Sequence, residues 1–150
     1  MSARYLELLA AFANEIGLPT PELLLETKEL VVDEITISLL YEGDDQMGDV
    51  ILFSALGDIS AERTSEILLV AMEANYLWAA TGGATLGMSG RVLAMALRVP
   101  LILLDATSLA NAVSAFTETA TFWRRYTNGE LERLNQPGDL EQQLALSNKP

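Results

Sequence analysis

Three long segments of the chain carry hydrophobic residues at the spacing of an α-helix. The first, residues 2–16, starts at Ser2, a residue type that caps helices, and is followed by Gly17. The second runs from about Ser60 to Ala79, and the third from about Ala106 to Tyr126. The sequence therefore predicts three helices, each with an apolar side that faces a core.

Alternation of apolar and polar residues between these helices predicts strands. Residues 30–41 predict one strand, with alternation from Glu34 to Tyr41, and residues 50–57 are apolar on both faces. The acidic turn 42–49 joins these two segments into a hairpin, and Ser89-Gly90 joins a second hairpin. Residues 23–27 predict a further short extended piece. Hairpins build antiparallel sheets, so the predicted class is α+β, with about five strands and three helices in the order α-β-β-β-α-β-β-α.

The length of 150 residues fits one domain with a substantial core. We expect a single domain over residues 1–128. Residues 129–150 are polar and contain Pro137-Gly138, which indicates a loosely attached tail.

The charge of the chain narrows the classes of partner. Asp and Glu number 21 against 9 Lys and Arg, a formal net charge of −12. Such a chain repels nucleic acid and anionic membrane surfaces. Glu7 and Glu15 interrupt the first apolar segment, and no uncharged run reaches the ~18 apolar residues of a membrane span. We therefore expect a cytoplasmic protein without membrane insertion.

The residue types that carry catalysis are mostly missing. The chain contains no Cys and no His, which excludes thiol nucleophiles, Ser-His-Asp triads and imidazole or thiolate metal sites. The acidic turn 42–49 lacks the spacing of a calcium loop. Asp33-Glu34 and Arg98 fit a structural ion pair better than a catalytic acid. We expect no enzymatic activity, no cofactor and no metal.

Gly82-Gly83 raises the question of a phosphate-binding loop. A dinucleotide fingerprint places its glycines between a strand and a following helix, whereas here a helix precedes them and a strand follows. A phosphate-binding P-loop also needs a Lys that is missing. The two glycines therefore predict the end of a helix and the start of a hairpin.

The second predicted helix is apolar on two sides after Ile67. In a small domain only one side of a helix faces the core, so the other side needs a second cover. A second copy of the chain is the simplest cover. The predicted homodimer interface contains Leu69, Met72, Glu73 and Tyr76, with Leu86 and Met88 nearby, while Asn75 caps backbone groups or joins the interface.

Several segments, taken in order, resemble one family. They are LLAAFANEIGLP, LVVDEITISLLYEG, ILFSALGDI, a helix that ends in Ala-Asn, GGATLGMS, VLAMALRVPL and a last helix with FWRR. Their order over residues 4–126 is similar to that of the class I chaperones of bacterial type III secretion, the Tir-chaperone-like family. The resemblance implies a small α/β fold that dimerises through its second helix and binds the N-terminal segment of one or a few secreted effectors, without ATP.

The first helix and the first hairpin carry more apolar surface than one small core requires. An extended apolar effector segment could lie across them by groove contacts and strand addition. Candidate contacts are Leu6, Leu9 and Phe12 on the helix and Ile35, Ile37 and Leu39 on the strand. In the alternative, all six residues belong to the core.

Two other functions compete with the secretion chaperone. One is an interaction or regulatory scaffold of related fold outside secretion, which the neighbouring genes would distinguish. The other is an enzyme that uses carboxylates or Tyr, which the lack of any nucleophile–base pair disfavours.

Overall fold

The computed structural model describes residues 2–131. The described residues form two compact units, one made of residues 2–53 and 97–117 and the other of residues 54–96 and 118–131. The predicted polar tail lies almost entirely outside the described residues, and a single domain over residues 1–128 stays a prediction.

Residues 2–131 form four α-helices, one more than the sequence predicted. They are α1 (Ala3–Glu15), α2 (Pro21–Thr27), α3 (Thr64–Asn75) and α4 (Ala106–Thr127). The Ser2 side chain accepts a hydrogen bond from the backbone N–H of Tyr5, which confirms Ser2 as the N-cap of α1. Short 3₁₀ turns at 61–63 and 76–78 flank α3, so the predicted helix 60–79 is shorter than expected.

The expectation of an extended piece at residues 23–27 was wrong, because these residues belong to α2. Pro21 occupies the first turn of this helix, where its fixed φ favours the helical conformation and no backbone N–H is required. Lys28 adopts the left-handed conformation at φ 60° and donates its backbone N–H to the Leu24 carbonyl, which ends the helix.

In the described part of the chain, five strands form one antiparallel sheet, as predicted. They are β1 (Glu29–Val32), β2 (Ile35–Glu42), β3 (Asp49–Asp58), β4 (Thr85–Ser89) and β5 (Val92–Pro100), and their order in the sheet is β1-β2-β3-β5-β4. The edge strands are therefore β1 and β4. Their unpaired sides are the places where another extended chain could join the sheet.

The predicted single strand 30–41 is instead a tight hairpin. Asp33 and Glu34 both have positive φ, 49° and 69°, and form the two-residue turn between β1 and β2. Positive φ at both central positions gives a turn whose twist matches that of the strands. The two acidic side chains therefore belong to a turn, and Arg98 pairs with Glu42 and Asp49 instead of with them.

Each unit has its own core. In the first unit the buried apolar residues come mainly from α1, β2, β3 and the first half of α4, with Leu24, Leu30, Leu101 and Leu104 beside them. In the second unit Trp123 is fully buried, and its indole N–H donates to the Ala80 carbonyl at 3.1 Å. Arg63 donates from one guanidinium nitrogen to the carbonyls of Tyr126 and Thr127, at 2.8 and 3.1 Å, and satisfies the last turn of α4.

None of the helices within residues 2–131 combines the length and the hydropathy needed to cross a membrane.

Candidate functional site

Five of the six predicted effector contacts are buried in the core of the first unit. Leu9, Phe12, Ile37 and Leu39 are 0% exposed and Ile35 is 2% exposed. Leu6 alone of the six is partly exposed. The burial fits the alternative that these residues belong to the core, and it leaves their exposed neighbours as the surface that a partner can reach.

The outer face of the sheet in the first unit carries exposed apolar side chains. Ser38 pairs with Phe53 and Leu40 pairs with Ile51 across β2 and β3, and Val31 pairs with Thr36 across β1 and β2. Because side chains alternate between the faces of a strand, these residues lie opposite the buried ones. We call this surface the outer sheet face and define it by Val31, Leu40, Ile51 and Phe53, which are exposed or half-buried.

One sheet edge presents unpaired backbone groups. The Leu39 N–H donates to the Lys28 carbonyl at 2.8 Å, so Lys28, Leu30 and Val32 are the residues whose backbone groups face β2. The N–H and C=O groups of Glu29 and Val31 therefore point away from the sheet. The Glu29 N–H is satisfied by the Thr27 hydroxyl at 3.2 Å. In the described part of the chain, no strand pairs with this side of β1.

The other sheet edge is partly closed by Asn75. Its side-chain amide donates to the Leu86 carbonyl and its side-chain oxygen accepts from the Leu86 N–H, both at 2.9 Å. These two bonds occupy the outward backbone groups of Leu86 in β4. The expectation that Asn75 caps backbone groups is confirmed. The outward backbone groups of Val31 in β1 are therefore open to another strand, whereas those of Leu86 in β4 are already bonded.

An open cavity of about 640 Å³ lies beside the start of β1 and is lined in part by Tyr5, Lys28, Leu40 and Ile51. The Tyr5 ring stacks on the Tyr41 ring with 5.0 Å between centroids. The Tyr5 hydroxyl donates to the Leu39 carbonyl and joins α1 to β2. The cavity borders residues of the outer sheet face and has room for bulky apolar side chains.

Burial raises the pKa of Tyr5 from 10.0 to about 12. The unfolded chain releases this proton near pH 10, whereas the folded chain holds it, so the contribution of Tyr5 to stability is complete below pH 10 and is lost as pH rises to about 12. We expect the stability difference between the wild-type protein and Tyr5→Phe to narrow by roughly 2 kcal/mol over this interval. Urea denaturation of both proteins at neutral pH and above pH 10 measures this difference in the free energy of unfolding. A difference that does not change with pH would contradict the raised pKa of Tyr5.

The second unit exposes an apolar face on α3. Leu69, Met72 and Tyr76 are 65%, 74% and 73% exposed, and Glu73 lies between them on the surface. We call these four residues the α3 face. Met88 is also exposed, whereas Leu86 is only 4% exposed because its side chain belongs to the core. The exposure of five of the six predicted interface residues is compatible with their role, and Leu86 could act only through its backbone.

Acidic side chains surround these surfaces without converging on a metal site. Within residues 2–131, no three acidic side chains come close enough together to hold a metal ion. Arg98 contacts Asp49 at 2.9 Å and Glu42 at 3.3 Å, and its hydrogen bond to Asp49 raises the pKa of its guanidinium. The arrangement offers apolar contacts and unpaired backbone groups on the edge of β1.

The sequence contained one signal for the outer sheet face that the interpretation missed. Residues 50–57 are apolar on both faces, and the face that carries Val50 and Leu52 is the one buried in the core. Ile51 and Phe53 therefore have no place in that core. The open edge of β1 had no such signal, because it depends on the Asp33-Glu34 turn.

A family model described as the Tir chaperone protein (CesT) family matches residues 7–124 of the chain. A comparison of the sequence with curated proteins gave no significant match.

Three solved structures share the fold. A chain of the HopA1–SchA chaperone–effector complex has a TM-score of 0.59 at 18% identity, over 81% of this chain and 94% of that one. A chain from the structure of the Yersinia pestis type III secretion chaperone SycH in complex with a stable fragment of YscM2 has a TM-score of 0.55 at 15% sequence identity. The match covers 79% of this chain and 98% of that one. A chain of the ExsC–ExsE complex has a TM-score of 0.58 at 17% sequence identity, and the match covers 85% of this chain and 97% of that one. Identities this low show a common fold.

Proposed function

This chain belongs to the Tir chaperone protein (CesT) family, and we propose that it is a type III secretion chaperone that binds the N-terminal segment of a secreted effector. The family match confirms the resemblance seen in the sequence. We further propose that the chain works in the bacterial cytoplasm as a homodimer, keeps its effector competent for secretion and acts by binding instead of by catalysis.

The open edge of β1 is the observation that carries this proposal. An extended segment can add to an unpaired strand edge by main-chain hydrogen bonds that do not depend on its sequence. Val31 offers its N–H and C=O to such a segment, and Glu29 offers its C=O. The two-residue turn at Asp33-Glu34 keeps this edge short, so the added strand pairs over about one to two residue pairs and needs further contacts.

The outer sheet face and the cavity beside Tyr5 supply those further contacts. Val31 reaches both the edge and this face, so a strand added to β1 places alternate side chains beside Val31. The segment then continues towards Leu40 and Ile51. Ordering a disordered segment costs conformational entropy, and an extended apolar surface is the contact that offsets it. Partly exposed Leu6 stays a candidate contact on α1.

Val31→Pro tests the strand addition. Proline lacks the backbone N–H that the effector segment would need, and its ring blocks the approach of a partner strand. The β1–β2 ladder should survive, because the lost N–H points away from β2 and proline is tolerated on an edge. We expect at least about tenfold weaker binding of the effector segment with little change in melting temperature.

The matched control is Val31→Thr, which keeps the backbone N–H and a β-branched side chain. The measurement is co-purification and titration of N-terminal segments of candidate effectors encoded beside this gene. Binding that is unaffected by Val31→Pro would exclude the β1 edge. Failure of every candidate effector segment to bind the wild-type protein would count against the chaperone function itself.

A further inference from the structure

A second concave surface in the first unit lies between α1 and the 3₁₀ turn Leu101–Leu103, which precedes α4. It is a groove of about 220 Å³ whose apolar floor is made by Leu8, Leu101 and Leu104. These three side chains are at most 7% exposed, so the floor is fixed by the core. The groove shares no residue with the cavity beside Tyr5.

Two bulky apolar side chains stand exposed on the same 3₁₀ turn, although neither lines the groove. Ile102 is 61% exposed and Leu103 is 69% exposed, although both neighbours, Leu101 and Leu104, are buried. The turn therefore holds its two central side chains out of the core by its own geometry. Leucine and isoleucine side chains placed together in water create an apolar patch that a partner can cover.

The acidic loop 43–48 is fixed next to the same turn. The Leu101 N–H donates to the Gly48 carbonyl at 3.0 Å, and Met47, which precedes Gly48, is 70% exposed. At the start of α1, the Ala3 N–H donates to the Asp45 carboxylate at 3.0 Å, and the Ser2 hydroxyl donates to the Asp45 carbonyl at 2.6 Å. The loop thus brings Asp44 and Asp45 to this end of the unit.

Carboxylates outnumber cations around the groove. Glu7 and Asp105 lie on its rim with one cation, Arg4. Reciprocal bonds of 2.8 Å join Asp105 and Ser108 at the start of α4, and the backbone N–H of Ser108 lowers the pKa of Asp105, which keeps the carboxylate charged. The rim of the groove therefore carries two carboxylates against one guanidinium. Arg98 does not change this balance, because it is paired with Glu42 and Asp49.

We propose that the groove between α1 and the Leu101–Leu103 turn is a second docking surface, for a basic amphipathic segment of a partner protein that inserts one or two bulky apolar side chains. The apolar floor and the exposed Ile102 and Leu103 receive those side chains. The surrounding carboxylates favour Lys and Arg on both sides of them and repel acidic partners, nucleic acid and anionic lipid. The chain could therefore hold an effector segment and a second protein through different residues.

The probe is a short synthetic peptide of Leu, Ala and Lys arranged as an amphipathic helix. Its controls are a scrambled peptide of the same composition and a peptide with Glu at every Lys position. We expect the amphipathic Lys peptide to bind, the scrambled peptide to bind at least about tenfold more weakly, and the Glu peptide not to bind. Equal binding of the amphipathic and scrambled peptides would overturn the proposal, because it would mean unspecific charge attraction.

Variants of the protein locate the binding. Ile102→Ser and Leu103→Ser should each weaken the Lys peptide about tenfold while the melting temperature stays within error, since both side chains are exposed. Glu7→Lys should weaken it and reduce its dependence on salt. Leu23→Ser is the matched control, because Leu23 is 57% exposed on α2 and belongs neither to the groove nor to the Leu101–Leu103 turn.

Fluorescence anisotropy measures the peptide affinities, and the effector segment is titrated in parallel. Unchanged effector binding by the Ile102 and Leu103 variants, together with lost peptide binding, supports a separate second surface. Unchanged peptide affinity in both variants would overturn it. Neither result depends on Val31→Pro. The proposal of a second docking surface and the proposal of a chaperone function can therefore be refuted separately.

Discussion

Replacing Phe12 with Ala is expected to lower the free energy of unfolding by about 3–5 kcal/mol. Phe12 is 0% exposed on α1, so the shortened side chain leaves a cavity in the first unit. A small domain has only about 5–15 kcal/mol of stability in total, and this change removes a large share of it. Urea denaturation monitored by circular dichroism measures the loss.

The same variant separates a core residue from an effector contact. Phe12→Ala should lose the effector only to the extent that it loses its fold, whereas Phe12→Leu should keep both. Leu6→Ala is the control on the same helix, because Leu6 is partly exposed and should change stability far less. Loss of effector binding by Phe12→Ala at an unchanged melting temperature would show that Phe12 contacts the effector after all.

The number of strands was predicted from the sequence, but two of the segments behind that number were different. Residues 23–27 form part of α2, and residues 30–41 contain two strands instead of one. Seven residues are too few for a helical period to stand out. The turn Asp33-Glu34 has no Gly or Asn, the usual residues of a two-residue hairpin turn. Local pattern alone therefore could not place the first edge of the sheet.

Which residues are buried and which are exposed could also be predicted only in part from the sequence. The alternation of Ile35, Ile37 and Leu39 identified one apolar face of β2 correctly, but the pattern does not say whether another element covers that face. In the structure these side chains are buried, and the Tyr5 hydroxyl ties α1 to the carbonyl of Leu39. The exposed apolar residues lie on the opposite face of the same sheet, as the register of β1, β2 and β3 shows.

The exposure of the α3 face was predicted more directly from the sequence than the exposure of the outer sheet face, because a helix needs only one apolar side to contact its own core. Ile67, Val70, Ala71 and Ala74 are buried and satisfy that requirement. Leu69, Met72 and Tyr76 remain outside, which is what a two-sided apolar helix predicts for a single chain. The exposure is compatible with the proposed homodimer, in which this face would pack on a second copy of itself.

Met72→Glu is expected to convert the proposed homodimer into monomers. In a twofold interface the substitution occurs twice, and each new carboxylate is buried against an apolar surface beside Glu73. At about 2–3 kcal/mol for each unpaired charge, the dissociation constant should rise by roughly three orders of magnitude. Light scattering at micromolar concentration should change from twice the chain mass of 16.3 kDa to that mass itself.

Two controls distinguish a lost interface from a general effect of charge. Met72→Lys reduces the net charge of −12 instead of increasing it, and it should separate the subunits as well. Leu23→Glu adds a carboxylate at an exposed apolar residue of α2 and should leave the dimer intact. Circular dichroism should show all three variants folded, since Met72 is 74% exposed in the single chain and its side chain makes little contribution to the core. A monomeric wild-type protein, or a dimer that survives both Met72 substitutions, would exclude the α3 face as the dimer interface.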